Sequence, residues 1–564
     1  MEDPQIFYTY DWAMAVQRAF QETEVLLMLV YEQEALRGVA VLALNSKSKI
    51  GSFLCGTTAD YCDFVTRSAD RDNFVALLLA EMRRTGIKKL VLPNLPSDSS
   101  TVDALVGAAK NEKFKVFQRL GYYCSRTVLG QAPERAEQAH EIDKKKMFRR
   151  NINFLRRDAP VILDHVRDWP AAETLLPEFA EAHVARFLAT GRISNLVRIE
   201  RRRFLTELAR HLGASGWLTI TRLMRGSEAV AWNYGFQYSG SWFWYQPTFD
   251  SRFEEHSPGY CLLAKMIIEA CGDPRVNLID LGLGAEDYKD RFANGSRETL
   301  HITLNASRVR HTTTALRYYM AETVKKSPRL ENWARAFRSC AYSLREHFRV
   351  GLIALVKWAA ARVTRLVFSR DQVEFFEWEH SSAAEDGFTE DLKEMSLEIL
   401  ARGAILYHGD EQTLAYLLRA ARRLRTDPTA AGFALMDRKG APLHFCWSTD
   451  FHGFFMSELG LRLSSASSQA LIFDCWTPVP ARGQGFYAKA IAALARRLES
   501  AGKQTWIFSA QQNPSSLRGI AKAGFTHRYS MSCRKMLGWH RISKNDVRVS
   551  EQRAVVRREE PAQS

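Results

Sequence analysis

Ala470-Leu-Ile-Phe-Asp-Cys-Trp476, followed by Arg482-Gly-Gln-Gly485 and, further on, by Thr505-Trp-Ile-Phe508 and Asn513-Pro-Ser-Ser516, is the stretch on which the fold turns. The first run is short, apolar and rich in β-forming residues. The Pro478/Pro480 pair after it cannot donate to a sheet ladder, so a strand is predicted to end there. Downstream, Tyr487, Ile491, Leu494 and Leu498 recur at helical spacing. The glycine turn thus feeds a helix whose first N–H groups have no carbonyl partner. Such a turn is an anion cradle, and Arg482 adds positive charge beside it. Thr505 to Phe508 predicts a second strand, and Asn513 with Pro514 opens another helix that Gly524-Phe525 closes.

These residues resemble the GNAT superfamily of acyl-CoA N-acyltransferases. Its signature is a strand, an (Arg/Gln)-x-x-Gly-x-(Gly/Ala) turn, and an Asn-x-x-(Ala/Ser)-x-x-x-Tyr-x-x-x-Gly-Phe helix. Arg482, Gly485, Asn513, Ser516, Gly524 and Phe525 fall on that pattern. The resemblance implies that Arg482, Gly483, Gln484, Gly485 and Phe486, with Asn513 and Ser516, bind the pyrophosphate arm of acetyl-CoA or another acyl-CoA. Two positions depart from it. Tyr487 stands at the family's last small residue, and Ile520 at the tyrosine that protonates the leaving thiolate in many members; an aliphatic side chain has no proton to give. A GNAT-shaped domain that acetylates nothing is therefore the alternative.

At 564 residues the chain exceeds one core, and about 150 residues per domain implies three or four domains. A hydrophobic content of 46% with 25% charged residues is that of a folded chain and excludes wholesale disorder. The nine cysteines are dispersed without C-x-x-C pairs or nearby histidine spacing, and the N-terminus lacks a basic segment followed by an apolar one. The expectation is a cytoplasmic protein with reduced thiols and no metal site. The net charge of +15 is concentrated: residues 307–370 hold 14 Lys plus Arg against 3 Asp plus Glu, a net of +11.

In chain order, hairpins, strands and helices alternate in an α/β (α+β) scheme that repeats three times. The expected boundaries are 1–142, 143–306, a basic amphipathic helical linker over 307–370, a third domain over 371–540 and a flexible tail over 541–564. In the linker, Lys357, Arg362 and Arg365 interrupt the apolar run from Val350 to Phe368, which reads either as a helix on an anionic membrane surface, peripheral to its inner face, or as one docked on the domains. The basic, amphipathic run from Asp143 to Asp158 reads either as a solvated connecting helix or as a contact for the acidic end of a donor.

Roughly residues 5–310 look like the CelD-like acetyltransferases, relatives of the FemAB aminoacyltransferases with two GNAT-like halves in tandem. The likeness rests on Asp60-Tyr-Cys-Asp63 in the first half and on Tyr245, Phe249-Asp250, Ser257-Pro-Gly259, Asp280 and Tyr288-Lys289 in the second. Ser257 and Gly259 stand where a strand meets a helix, suited to a phosphate or an acyl oxyanion. Asp280, Tyr288 and Lys289 could orient an amine and shuttle its proton, or serve as a turn cap and surface groups. In the third domain, Asp474 is the first candidate for the proton route and His452 the second. Three functions stay open: an acyl-CoA-dependent N-acyltransferase acting on an amine of cell-surface or exopolysaccharide biosynthesis, a FemAB-like aminoacyl-tRNA-dependent ligase, and a non-catalytic scaffold in membrane-associated polysaccharide machinery.

Overall fold

The computed structural model describes residues 3–284, 286–326, 368–379, 391–463, 465, 468–536 and 539–546. Residues 350–367 of the run expected to be helical lie outside the described residues, and Phe368 opens a strand; of the expected flexible tail 541–564, residues 541–546 belong to the strand Trp539–Asp546 and the rest lies outside the described residues. The chain divides into two compact units, residues 1–186 with 195–327 and residues 187–194 with 328–564.

The first unit contains β1 (Glu24–Glu32), β2 (Ala35–Asn45), β3 (Ile50–Phe53), β4 (Val65–Thr66), β5 (Lys89–Pro96), β6 (Lys115–Val128), β7 (Val161–Val166), β8 (Leu218–Arg225), β9 (Glu228–Tyr238), β10 (Ser241–Phe249), β11 (Leu278–Leu283) and β12 (Gly295–Asn305). All belong to one 12-stranded sheet of order β1-β2-β3-β5-β12-β6-β11-β10-β9-β8-β7, with β4 beside β2. The segments on either side of residue 142 therefore share a sheet. β6 of the first pairs antiparallel with β11 of the second, and β12 returns to insert between β5 and β6.

The second unit contains β13 (Phe368–Trp378), β14 (Asp391–Glu394), β15 (Ala431–Met436), β16 (Pro442–Asp450), β17 (Phe455–Met456), β18 (Leu461–Arg462), β19 (Gln469–Trp476), β20 (Gln504–Ala510), β21 (Phe525–Met536) and β22 (Trp539–Asp546). Eight of them form a mixed sheet of order β14-β15-β16-β19-β20-β13-β21-β22. β14 is held by antiparallel pairing to β15.

One local device occurs three times. A parallel pair starts side by side and then parts: Ile50 to Ser52 of β3 with Lys89 to Val91 of β5, Ser241 to Phe243 of β10 with Leu278 to Asp280 of β11, and Gln469 to Ile472 of β19 with Gln504 to Ile507 of β20. At the last two partings the other edge of the strand carries a register shift, β10 against β9 and β19 against β16, so a bulge bends the strand away. Each split leaves a wedge at the strands' carboxyl ends, where α/β sheets place their ligands. Apolar helix faces seal the sheets on one side: Cys261, Leu262, Met266 and Ile267 of the helix Pro258–Gly272, and Ile491, Leu494 and Ala495 of the helix Phe486–Ser500.

Candidate active site

In the second unit the glycine turn directly follows the β19/β20 split. Gly485 caps the helix Phe486–Ser500 in the left-handed region at φ +82°, and Gly483 has φ +81°. A Cβ built on either glycine meets nothing within 4 Å among the described residues, which leave the space before the turn open. Residues 486 to 488, in the first helical turn, have N–H groups with no carbonyl to reach. Arg482 is pinned beside them: its Nε donates to the Thr477 carbonyl at 3.0 Å, and its guanidinium lies 5.2 Å from the Trp476 ring.

Tyr487 leaves that niche open. Its hydroxyl bonds the Ser516 hydroxyl at 3.0 Å, and its ring lies against Gly519, where a Cβ would come within 2.4 Å. Asn513 caps the helix Pro514–Lys522, accepting from the Ser516 amide at 3.2 Å and the Ser515 hydroxyl at 2.8 Å. Ile520 is wholly buried in the core.

Asp474 sits on the β19 bulge with φ +44°. Its carboxylate is held by Arg423 Nη1 at 2.5 Å, its carbonyl accepts from the Tyr416 hydroxyl at 3.1 Å, and the Arg423 guanidinium stands 4.9 Å from the Trp447 ring. That carboxylate is engaged in holding the bulge. His452 is exposed beyond β16, with Nδ1 3.2 Å from the Ser465 carbonyl. Because Asp450 pairs with Ala470 at the start of β19, His452 lies at the opposite end of that strand from Trp476, roughly 20 Å away at a rise of about 3.3 Å per residue. The histidine at the right end is His444. It is buried, its Nδ1 is 2.7 Å from the Thr477 hydroxyl, its Nε2 has no partner among the described residues, and burial lowers its pKa to about 3.

In the first unit, the β10/β11 split gathers groups from both segments. Asp280, 1% exposed, accepts from the Tyr61 hydroxyl at 2.8 Å, Arg126 Nε at 3.2 Å and the Gly282 amide at 3.0 Å. Lys289 is buried and donates to the Leu283 carbonyl at 3.1 Å, with Glu286 at 3.5 Å. Tyr288 accepts from Trp244 Nε1 at 3.0 Å, and burial raises its hydroxyl pKa. Between them lies Asp60, absent from the sequence-based set of site residues. Its buried carboxyl makes no hydrogen bond among the described residues. Burial first, then the charge of Asp280, pushes its pKa up to about 8, with Lys289 pulling the other way.

The helix entrance near this split is built differently from the glycine turn. Ser257 caps the helix Pro258–Gly272 at φ +46°, Pro258 contributes no N–H, and a Cβ on Gly259 would rest 3.4 Å from the Phe249 ring. The basic run is docked here: Phe148, Ile152 and Leu155 of the helix Lys146–Leu155 are core residues, and Phe154 stacks on His256 with ring centroids 3.4 Å apart. It is a packed helix, and the Arg157 guanidinium lies 4.9 Å from the Phe154 ring at this entrance.

Residues 143–290 match the family described as acetyltransferase (GNAT) domain. Over these residues the chain is similar to a GNAT domain. No curated protein matches the sequence. Among solved structures, the chain is similar to FemX at 10% identity and a TM-score of 0.40, covering 53% of this chain and 92% of that one. A conserved protein of unknown function from Bacteroides thetaiotaomicron gives 12% identity and a TM-score of 0.38 over 54% and 93%. A tandem GNAT protein from the clavulanic acid biosynthesis pathway gives 12% and 0.29 over 53% and 94%.

The matched GNAT segment contains Ser257, Gly259, Asp280, Tyr288 and Lys289, and lacks Asp60. That carboxyl comes from the first segment, which shares a sheet with the matched residues. Chemically the set gathers the buried Lys289 and a carboxyl whose pKa is raised to about 8, and that carboxyl is able to give up or take a proton close to this pH.

Proposed function

We propose that the chain is an acyl-CoA-dependent N-acyltransferase, with acetyl-CoA the first donor to test and an amine of cell-surface or exopolysaccharide biosynthesis as acceptor. The observation that carries this reading is the Gly483 to Gly485 turn, open in front, with Arg482 beside it, at the mouth of the β19/β20 split. Such a turn suits a pyrophosphate. Past Ile472, β19 has no ladder to β20, so backbone groups of Phe473 to Trp476 are available on that edge to a pantetheine arm and a thioester carbonyl. The amine nitrogen attacks the carbonyl carbon, a C–N bond forms, the C–S bond breaks, and the proton lost by the amine ends on the thiolate.

The acid–base set of the GNAT domain in the first unit supports the same reaction class: Asp60 and Lys289 are groups that could carry the amine proton there. The acceptor rests on the CelD likeness of residues 5–310. A calorimetric titration of the whole chain with acetyl-CoA tests the reading. Binding heat that disappears in Arg482→Glu with Gly485→Asp is expected. No heat in the wild type, or undiminished heat in the variant, removes its basis, and salt-sensitive retention of tRNA on a filter would put an aminoacyl-tRNA donor in its place.

A further inference from the structure

The helix Arg308–Lys326 ends the first unit, and its face turned away from the sheet carries exposed apolar side chains among threonines. On its inner side Tyr318 packs against Phe117 with ring centroids 5.7 Å apart, His311 lies 6.3 Å from the same ring, and Arg119 stands 5.2 Å over Tyr318. These contacts fix which side is packed. On the outer side, Val309, Leu316 and Met320 are 72%, 60% and 60% exposed. Their spacing of i, i+7 and i+11 puts them on one line along the helix, with Tyr319, 59% exposed, beside it.

Cations border that line on both sides. Arg310 and Arg317 each follow a residue of the line and form one flank; Arg308 and Lys326 lie on the other. The helix has a single carboxylate, Glu322, and Lys326 neutralises it at 2.8 Å. No carboxylate among the described residues pairs with Arg308, Arg310 or Arg317. Lys89, on β5, has its pKa lowered by burial and then by the charges of Arg317 and Arg310, so the two arginines add to a positive field on this side of the unit.

We infer that this outer face is a docking surface for an anionic lipid bilayer, the apolar line entering the acyl boundary while the flanking arginines meet headgroup phosphates. Apolar side chains between cations, with an aromatic at the edge, are what an interfacial helix presents. A second copy of the chain fits less well. It would bring the same arginines against these ones, and a helix of 19 residues is about 28 Å long, too little for the roughly 800 Å² per partner of a stable protein interface. No helix among the described residues is long and apolar enough to cross a membrane. The inference stands independently of the acyl-transfer reading.

Flotation of the full-length chain with vesicles of phosphatidylcholine, with and without phosphatidylglycerol, tests it. Binding to the anionic vesicles alone, weakened by salt, is expected. Val309→Ser with Leu316→Ser and Met320→Ser should cut partitioning at least about tenfold, and Arg310→Gln with Arg317→Gln about fivefold per cation removed. Melting temperatures should not move, because every substituted side chain is exposed. Four results would overturn the inference: no flotation of the wild type, equal flotation with neutral vesicles, undiminished flotation of the serine variant, which would put the contact elsewhere such as the Val350 to Phe368 run, or a change of oligomeric state on sizing of that variant, which would assign the face to a second copy.

Discussion

The carboxyl of Asp60 occupies the space that a side chain at Gly282 would need: its Oδ2 lies 2.8 Å from where a Cβ would stand, and Gly282 has φ +70°. The glycine is required twice over, once by backbone conformation and once by the carboxyl it admits. Gly282→Ala should therefore cost about 1–3 kcal/mol through strain and overpacking, seen as a lower melting temperature of the first unit. It should also push Asp60 away from Lys289, so any acyl transfer performed there should fall further than the loss of folded protein accounts for.

Asp60→Asn separates a catalytic from a structural carboxyl by pH. In the folded chain the group holds its proton up to about pH 8, whereas an unfolded aspartate releases it near pH 4. Between those values the folded state binds more protons than the unfolded one, so the wild type loses stability as pH rises, by up to ~1.4 kcal/mol per pH unit. The asparagine variant lacks that slope. Its stability relative to wild type should grow from pH 4 to pH 8 and then level off, followed by chemical denaturation at several pH values. If Asp60 carries the amine proton, the variant also loses the inflection near pH 8 in its rate profile. An unchanged profile would make Asp60 structural.

What could be read from residues alone was what is encoded locally. The turn from Arg482 to Gly485 stands out because a β pattern gives way to a helical one across two glycines, and the structure has that strand, turn and helix. Asp60 was visible within a motif, but its role depends on β6 pairing with β11 and on β12 threading between β5 and β6, contacts between residues far apart in sequence. That His444, and not the expected His452, stands at the split depends on which end of β16 lies beside the end of β19. Antiparallel register decides that: Phe445 opposite Trp476 brings His444 to the split, and Asp450 opposite Ala470 takes His452 away. The ion pair of Asp474 with Arg423 likewise depends on a bulge, and one extra residue in a strand leaves no mark in composition or period.

Tyr487 and Gly519 give a test of the open niche. Tyr487→Phe removes the bond to Ser516 and keeps the ring, so it should cost about 0.5–1.5 kcal/mol and leave acetyl-CoA binding unchanged. Gly519→Ala drives a methyl group into the ring, which must swing toward the turn. Titration should then show weaker binding by about tenfold or more, along with destabilisation of about 1–3 kcal/mol. Equal binding by both variants would mean that the tyrosine ring is irrelevant to the niche.

His444 should make the second unit acid-labile. Buried and held neutral down to about pH 3, it cannot take the proton that an unfolded histidine accepts near pH 6.5. The unfolded state thus binds more protons below pH 6.5, and stability present above that value falls as pH drops toward 3, again by up to ~1.4 kcal/mol per pH unit. His444→Leu removes the titrating group and also relieves an imidazole nitrogen that has no partner among the described residues, at the cost of the bond to Thr477. Thermal melts at pH 7 and pH 5 should show a smaller acid-induced drop for the second unit of the variant than of the wild type, while the first unit, which keeps the buried His183, lowered to about 3, retains its own acid sensitivity. Equal drops in both proteins would show that His444 titrates in the folded chain and that its ring is reached by water.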